Sequence, residues 1–271
     1  MVIDGVRMTS QSLKKLCQRR YSAVCSACAR ATSVAEYRAG RPLSAYAHLM
    51  QNVDLTWAQD LGSVTELLSG EFFQPLGRSS SHQMWSSAMV VTPMLRGLFG
   101  LDGHAGNQTL RVAPHLPADW DRATLRNVPL GPSTVDLRYQ RSGDHLVVEA
   151  RTRQPQVVCL VAGTAAEGPC KASASTSHST SVPLEPVEIS IPAALPLEGS
   201  KTEQIKVLDE DYSGRQARFT FEAQGGSNYE LPIRLHRAGI AVKGAEVTGD
   251  NLQMKFPKGA GYQTQTVTFT W

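Results

Sequence analysis

The stretch RFTFEAQGGSNYELPIRLH, residues 218–236, decides the fold. Phe219 and Phe221 alternate with Arg218, Thr220 and Glu222, and Tyr229, Leu231, Ile233 and Leu235 alternate with Glu230, Pro232, Arg234 and His236. A period of two places every apolar side chain on one face of an extended chain. Val135, Leu137 and Tyr139 repeat the pattern between Thr134, Asp136 and Arg138, as do Leu252, Met254 and Phe256, then Val267, Phe269 and Trp271. Strands with one apolar face must cover it with a second sheet, so residues 105–271 are expected to form an antiparallel β-sandwich with room for two sheet pairs. Within it KASASTSHSTS, residues 171–181, reads as a low-complexity loop that splits the strands into two groups.

Upstream the character changes. Of fifteen prolines, three fall by residue 93 and the rest at or after residue 114, so the front favours helix and the remainder short strands. Val34 and Tyr37, then Leu43, Tyr46, Ala47 and Met50, recur at helical spacing, with Gly40-Arg41 as the break between two helices and Pro42 in the first turn of the second. A further helix is expected over Ser81–Phe99, capped by Ser79 or Ser80, kinked at Pro93, with Trp85, Ala88, Met89 and Leu95 on one side. The fold class is therefore α+β, helices followed by a sandwich.

The bulk numbers exclude several roles. At 271 residues, with 41% hydrophobic and 19% charged residues, the chain can bury a core without disulfide support. No apolar run reaches the roughly 18 residues of a membrane span. The formal charge of +3 is uneven: residues 1–52 hold eight Lys or Arg against Asp4 and Glu36, whereas the remainder is slightly acidic. Lys14, Lys15, Arg19 and Arg20 are too few, without interleaved aromatics, for a nucleic-acid surface. Cys25-x-x-Cys28 could be half of a zinc site, but neither a second pair nor a Cys/His partner lies at suitable spacing, so Cys17, Cys25, Cys28, Cys159 and Cys170 are expected to be unpaired thiols, and YSAVCSACARA after Arg19-Arg20 is a poor export signal. Residues 1–33 form an atypical basic segment of no readable role.

The densest chemistry lies in TELLSGEFFQPLGRSSSHQMWSSAMV, residues 65–90. Glu66, Glu71, Arg78, His82 and Gln83 are interleaved with Phe72, Phe73 and Trp85, and burying so many polar groups costs free energy unless each finds a partner. Polar groups beside aromatic rings suit a surface that binds a polar molecule with flat faces.

With the neighbouring TWAQDLGSV and VTPMLRGLFGL, and with LRVAPHLPADWDRATLRNVPLGPSTVDLRY, this region resembles the C-terminal end of bacterial six-hairpin glycosidases, (α/α)6-barrel enzymes that include glycogen-debranching and amylo-α-1,6-glucosidase-like proteins. The resemblance covers residues 34–271. It rests on Glu66-Leu67-Leu68-Ser69-Gly70, Gly77 and Gln83-Met84-Trp85-Ser86. It implies that residues 34–104 are the terminal helices of an incomplete barrel, that Glu66 is the general base, and that Arg78, His82, Gln83 and Trp85 contact an oligo- or polysaccharide. Neither metal nor organic cofactor is implied. An inverting glycosidase needs two opposed carboxylates roughly 6.5–9.5 Å apart. A twelve-helix barrel takes on the order of 200 residues, so most of it, and the family's acid, has no counterpart here. The chain is thus expected to be a C-terminal fragment without hydrolytic activity on its own, with the missing barrel portion as a partner.

Plainer readings stand beside these. Glu66 could cap a helix or pair with Arg78, Trp85 could be core, His82 could cap, and Glu71 and Asp60 are solvated by default. The sandwich could also be a binding or structural module, with Trp120, Tyr139 or Tyr229 as sugar platforms. Leu49, Met89 and Leu95, lacking barrel partners, are expected to be exposed.

Overall fold

The computed structural model describes residues 33–58, 61–69, 72–77, 79–104, 106, 108–162 and 172–271, together with the backbone of three short strands, β1 (Val2–Ile3), β2 (Val6–Arg7) and β3 (Ala23–Cys25). The molecule is β-rich, built from several antiparallel sheets over two apolar cores. Strand β3 pairs with β4 (Leu67–Ser69), which directly follows Glu66.

The first core lies between two sheets. One has the order β10 (Cys159–Ala162), β6 (Thr109–Val112), β5 (Leu101–His104); the other runs β11 (Ser175–Pro183), β9 (His145–Gln156), β8 (Ser133–Ser142), β7 (Arg122–Leu130). All pairings are antiparallel except β6 with β10. Val135, Leu137 and Tyr139 are buried, as their alternation predicts, against Leu110, Val112, Val148 and Ala150. Helical residues Tyr37, Ala45, Tyr46, Leu49 and Leu98, with Phe99 just beyond them, close this core.

The second core is a sandwich of two four-stranded sheets. Strands β12 (Val187–Ile189), β15 (Asn228–Leu235), β18 (Asn251–Lys255) and β17 (Glu246–Thr248) face β13 (Lys206–Ser213), β14 (Gln216–Gln224), β19 (Tyr262–Thr270) and β16 (Ala241–Lys243). Phe219 meets Phe269 edge-on at 5.8 Å and Tyr212 at 5.6 Å, and Leu231, Ile233, Leu252 and Met254 fill the opposite wall. Each such side chain contributes about 1.5–3 kcal/mol by leaving water. Leu235, at the end of its run, is instead exposed.

Helix α1 (Pro42–Ala58) bridges the cores, with Leu43 on the second and Ala45, Tyr46 and Leu49 on the first. Residues 33–38 form the preceding helical turn, and Gly40 breaks it at φ 70°, as the Gly40-Arg41 reading anticipates. Helix α2 (Met84–Pro93) is shorter than expected: Gln83 is its N-cap, with no side-chain cap bond, and Ser79 and Ser80 lie outside it. Ser79 Oγ instead receives the Leu67 amide, and the Ser80 carbonyl receives the Glu66 amide. After Pro93, which has no amide hydrogen, residues Met94–Leu98 form a π-turn in which the Phe99 amide reaches the Met94 carbonyl.

Other expectations need correction. Residues 175–183 are strand β11, not loop, because β9 offers its edge and backbone pairing needs no apolar alternation. The buried stripe of α2 is Ser86, Val90 and Pro93, so Trp85, 53% exposed, is no core residue. Leu49 is buried rather than exposed, and Leu95 packs against the first core, because the sandwich itself covers that face. Cys159 is disulfide-bonded, not a free thiol, its partner lying outside the described residues. No helix of the described residues is long and apolar enough to cross a membrane.

Candidate functional site

The two halves of the 65–90 segment are brought side by side. The Glu66 amide donates to the Ser80 carbonyl at 2.9 Å, Leu67 donates to Ser79 Oγ at 2.8 Å, and the Thr65 and Ser79 hydroxyls share a bond of 2.7 Å. This zipper sets Glu66, half-buried, at the head of β4, a few residues from the start of α2. His82 is exposed, its Nδ1 2.8 Å from Ser81 Oγ, and Gln83 occupies the N-cap with its side chain free of capping duty. Trp85 projects into solvent from the first turn of α2. Arg78, Glu71 and Asp60 lie outside the described residues.

Around this element the surface is unusually apolar. Trp57, Leu61, Phe72, Met84, Trp85 and Val91 are all exposed. Met84 and Trp57 are 85% and 73% exposed, respectively. The Gly62 amide donates to the Thr56 carbonyl, and Ser87 Oγ reaches the Gly62 carbonyl at 3.5 Å, so the end of α1 and the start of α2 sit together. The platforms considered on the sandwich fare differently. Tyr139 is fully buried and bonds the Phe99 carbonyl, so it cannot stack on a sugar; Trp120 packs on the first core. Tyr229 is partly buried, with its hydroxyl on the Glu203 carbonyl.

The structure also holds a cavity that the sequence did not announce. It has a volume of about 440 Å³ and opens where the 33–38 turn, the start of α1, the loop 113–118 and strands β12 and β13 meet. Neither Glu66, Gln83 nor Trp85 lines it. In its wall the His115 ring stacks on Tyr37 at 5.5 Å, and burial pushes the imidazole down to about 4, so it is neutral at ordinary pH. The Tyr37 hydroxyl is buried without a hydrogen-bond partner among the described residues.

Two glutamates of this cavity are held in opposite ways. Burial pushes the Glu210 carboxyl up to about 8, against the lowering influence of the Ser44 and Leu43 amides, which donate to it at 3.0 and 3.2 Å. It thereby occupies the N-terminal end of α1 from a strand of the second core. Burial also acts to raise Glu188, yet the hydrogen bonds from His236 at 2.6 Å and from Arg141 at 2.6 and 3.1 Å hold it below the usual carboxylate range. Arg141 further donates to the carbonyls of Leu116, Pro117 and Trp120, which fixes the loop carrying His115.

These residues come from positions 37–46, 96–118, 182–189 and 210–212, a scatter that no short-range spacing reveals. A histidine between prolines in Pro114-His115-Leu116-Pro117 is the one local signal. Among the described residues no group of three or more His, Cys, Asp or Glu could hold a metal ion. No family model, no curated protein and no solved structure matches the chain.

Proposed function

We propose that the chain is the C-terminal portion of a glycoside hydrolase of the six-hairpin kind, supplying one base-like carboxylate, Glu66, and a saccharide-contacting surface. What supports this most is the exposure of Trp85 beside the zipped Glu66–Ser80 element. An aromatic ring left in solvent at the mouth of a polar loop suits the face of a sugar, and Gln83 and His82 can serve its hydroxyls. Arg78 completes that set by resemblance alone. In this reading α1 and α2 are the last helices of an incomplete α/α barrel, and the apolar residues around Trp57 and Met84 are the face that earlier hairpins cover.

Chemically, Glu66 would activate water while a second carboxylic acid protonates the departing oxygen. The second acid belongs to the missing hairpins, so the chain by itself has no turnover. Purified protein offered chromogenic α- and β-glycosides should release no chromophore. Release that Glu66→Gln abolishes would overturn the reading.

The alternative, a carbohydrate-binding or structural β-sandwich module, loses Tyr139 to the core and keeps Trp120 and Tyr229 only as partly buried rings packed against the two cores. It is the weaker reading for that reason.

A further inference from the structure

We infer that the cavity at the junction of α1 and the two cores binds a small uncharged polyhydroxylated molecule, of about one or two sugar rings, through His115. The volume of about 440 Å³ falls within the roughly 300–1,000 Å³ of small-molecule sites. The floor is largely apolar, with Leu43, Pro114, Leu116 and Ile189 among the lining residues. Such a site needs a few fixed polar groups to orient its ligand, and His115 is one of them.

The His115 ring is oriented by its stack on Tyr37, and its backbone is anchored where the His115 amide donates to the Leu98 carbonyl at 2.8 Å. The loop beyond it is pinned by three carbonyls on Arg141. Neither ring nitrogen has a hydrogen-bond partner among the described residues. A neutral imidazole offers one donor and one acceptor, the complement of a hydroxyl group, which can both accept and donate. With no protein partner among the described residues, that donor and acceptor of the half-buried ring are left for a bound hydroxyl to take up.

The charges around the cavity argue against an ionic ligand. Glu188 is already neutralised by Arg141 and His236, and Glu210 accepts two amides. At the rim Asp102 stands opposite Arg111 in the β5–β6 register, while Glu185 faces solvent, as do Arg38 and Arg96. Both signs are present, so no net field selects an anion or a cation. Carboxylates and guanidinium groups at a rim hydrogen-bond readily to hydroxyls.

The test is NMR of the His115 ring signals in the isotopically labelled whole chain, titrated with maltose and with cellobiose, and separately with inorganic phosphate. The expected result is a saturable shift with at least one disaccharide and none with phosphate. His115→Phe keeps the stacked ring and removes both nitrogens, and should weaken the affinity at least tenfold. Two silent disaccharides, a phosphate response without a sugar response, or full affinity in His115→Phe each overturns the inference. Should that variant fail to fold, the titration of the unaltered chain decides alone. Failure here leaves the Glu66 reading untouched, because the motif residues do not line this cavity.

Discussion

Glu210 caps helix α1 across the boundary between the two cores, and its ionisation therefore couples pH to the packing of both. Its folded value of about 8 lies above its ordinary value of 4.5, so the folded chain retains a proton that the unfolded chain has lost over that interval. The stability this group contributes is complete below the ordinary carboxyl range and is lost as pH rises through about 8. The slope between those limits reaches at most about 1.4 kcal/mol per pH unit. Glu210→Gln, which keeps an acceptor for the two amides and cannot ionise, should flatten the urea-unfolding profile and stabilise the chain above pH 8. An unchanged slope would contradict this. Tyr37 provides a second residue-level test. Its hydroxyl is buried without a partner among the described residues, so Tyr37→Phe should raise the unfolding free energy by about 1 kcal/mol, whereas a loss would show a hidden acceptor. The same ring explains Gly97: a Cβ there would lie 2.1 Å from Tyr37 Cδ2. Gly97→Ala should cost about 1–3 kcal/mol in the same measurement.

Elements were legible wherever one face is buried and the other wet. The alternation in β8, β14 and β18 maps onto the cores, since each inward side chain there must be apolar. Phe219→Ala should therefore cost about 3–5 kcal/mol, and Arg218→Ala, one residue along on the outer face, less than about 0.5 kcal/mol. Equal effects would mean that the register of β14 is misplaced. Strand β11 was illegible because Ser and Thr occupy both of its faces, so only the backbone of β9 specifies it. Helix α2 was misread for a related reason. Its buried stripe begins with Ser86 and ends with Pro93, which no apolar count favours, while its largest side chains, Met84 and Trp85, face water.

At the scale of the whole molecule, Arg141 ties the first core to the second. Its guanidinium joins Glu188 of β12 to the carbonyls of the loop before β7, with His236 on the same carboxylate. Removing one partner of a buried ion pair strands the other, so Arg141→Met should cost about 3–5 kcal/mol and move His236 ring signals. Of the candidate site, the Glu66 and Gln83–Trp85 segments were readable because their residues sit close together in sequence. The cavity was not, because folding alone assembles it from four distant segments. The proposed function requires a sugar to stack on the solvent-facing Trp85. Affinity electrophoresis of the whole chain through gels containing soluble glycogen or xylan tests it most directly. Retardation is expected in at least one polysaccharide and should be abolished by Trp85→Ala; unretarded migration in both, or retardation unchanged by Trp85→Ala, would overturn the proposal.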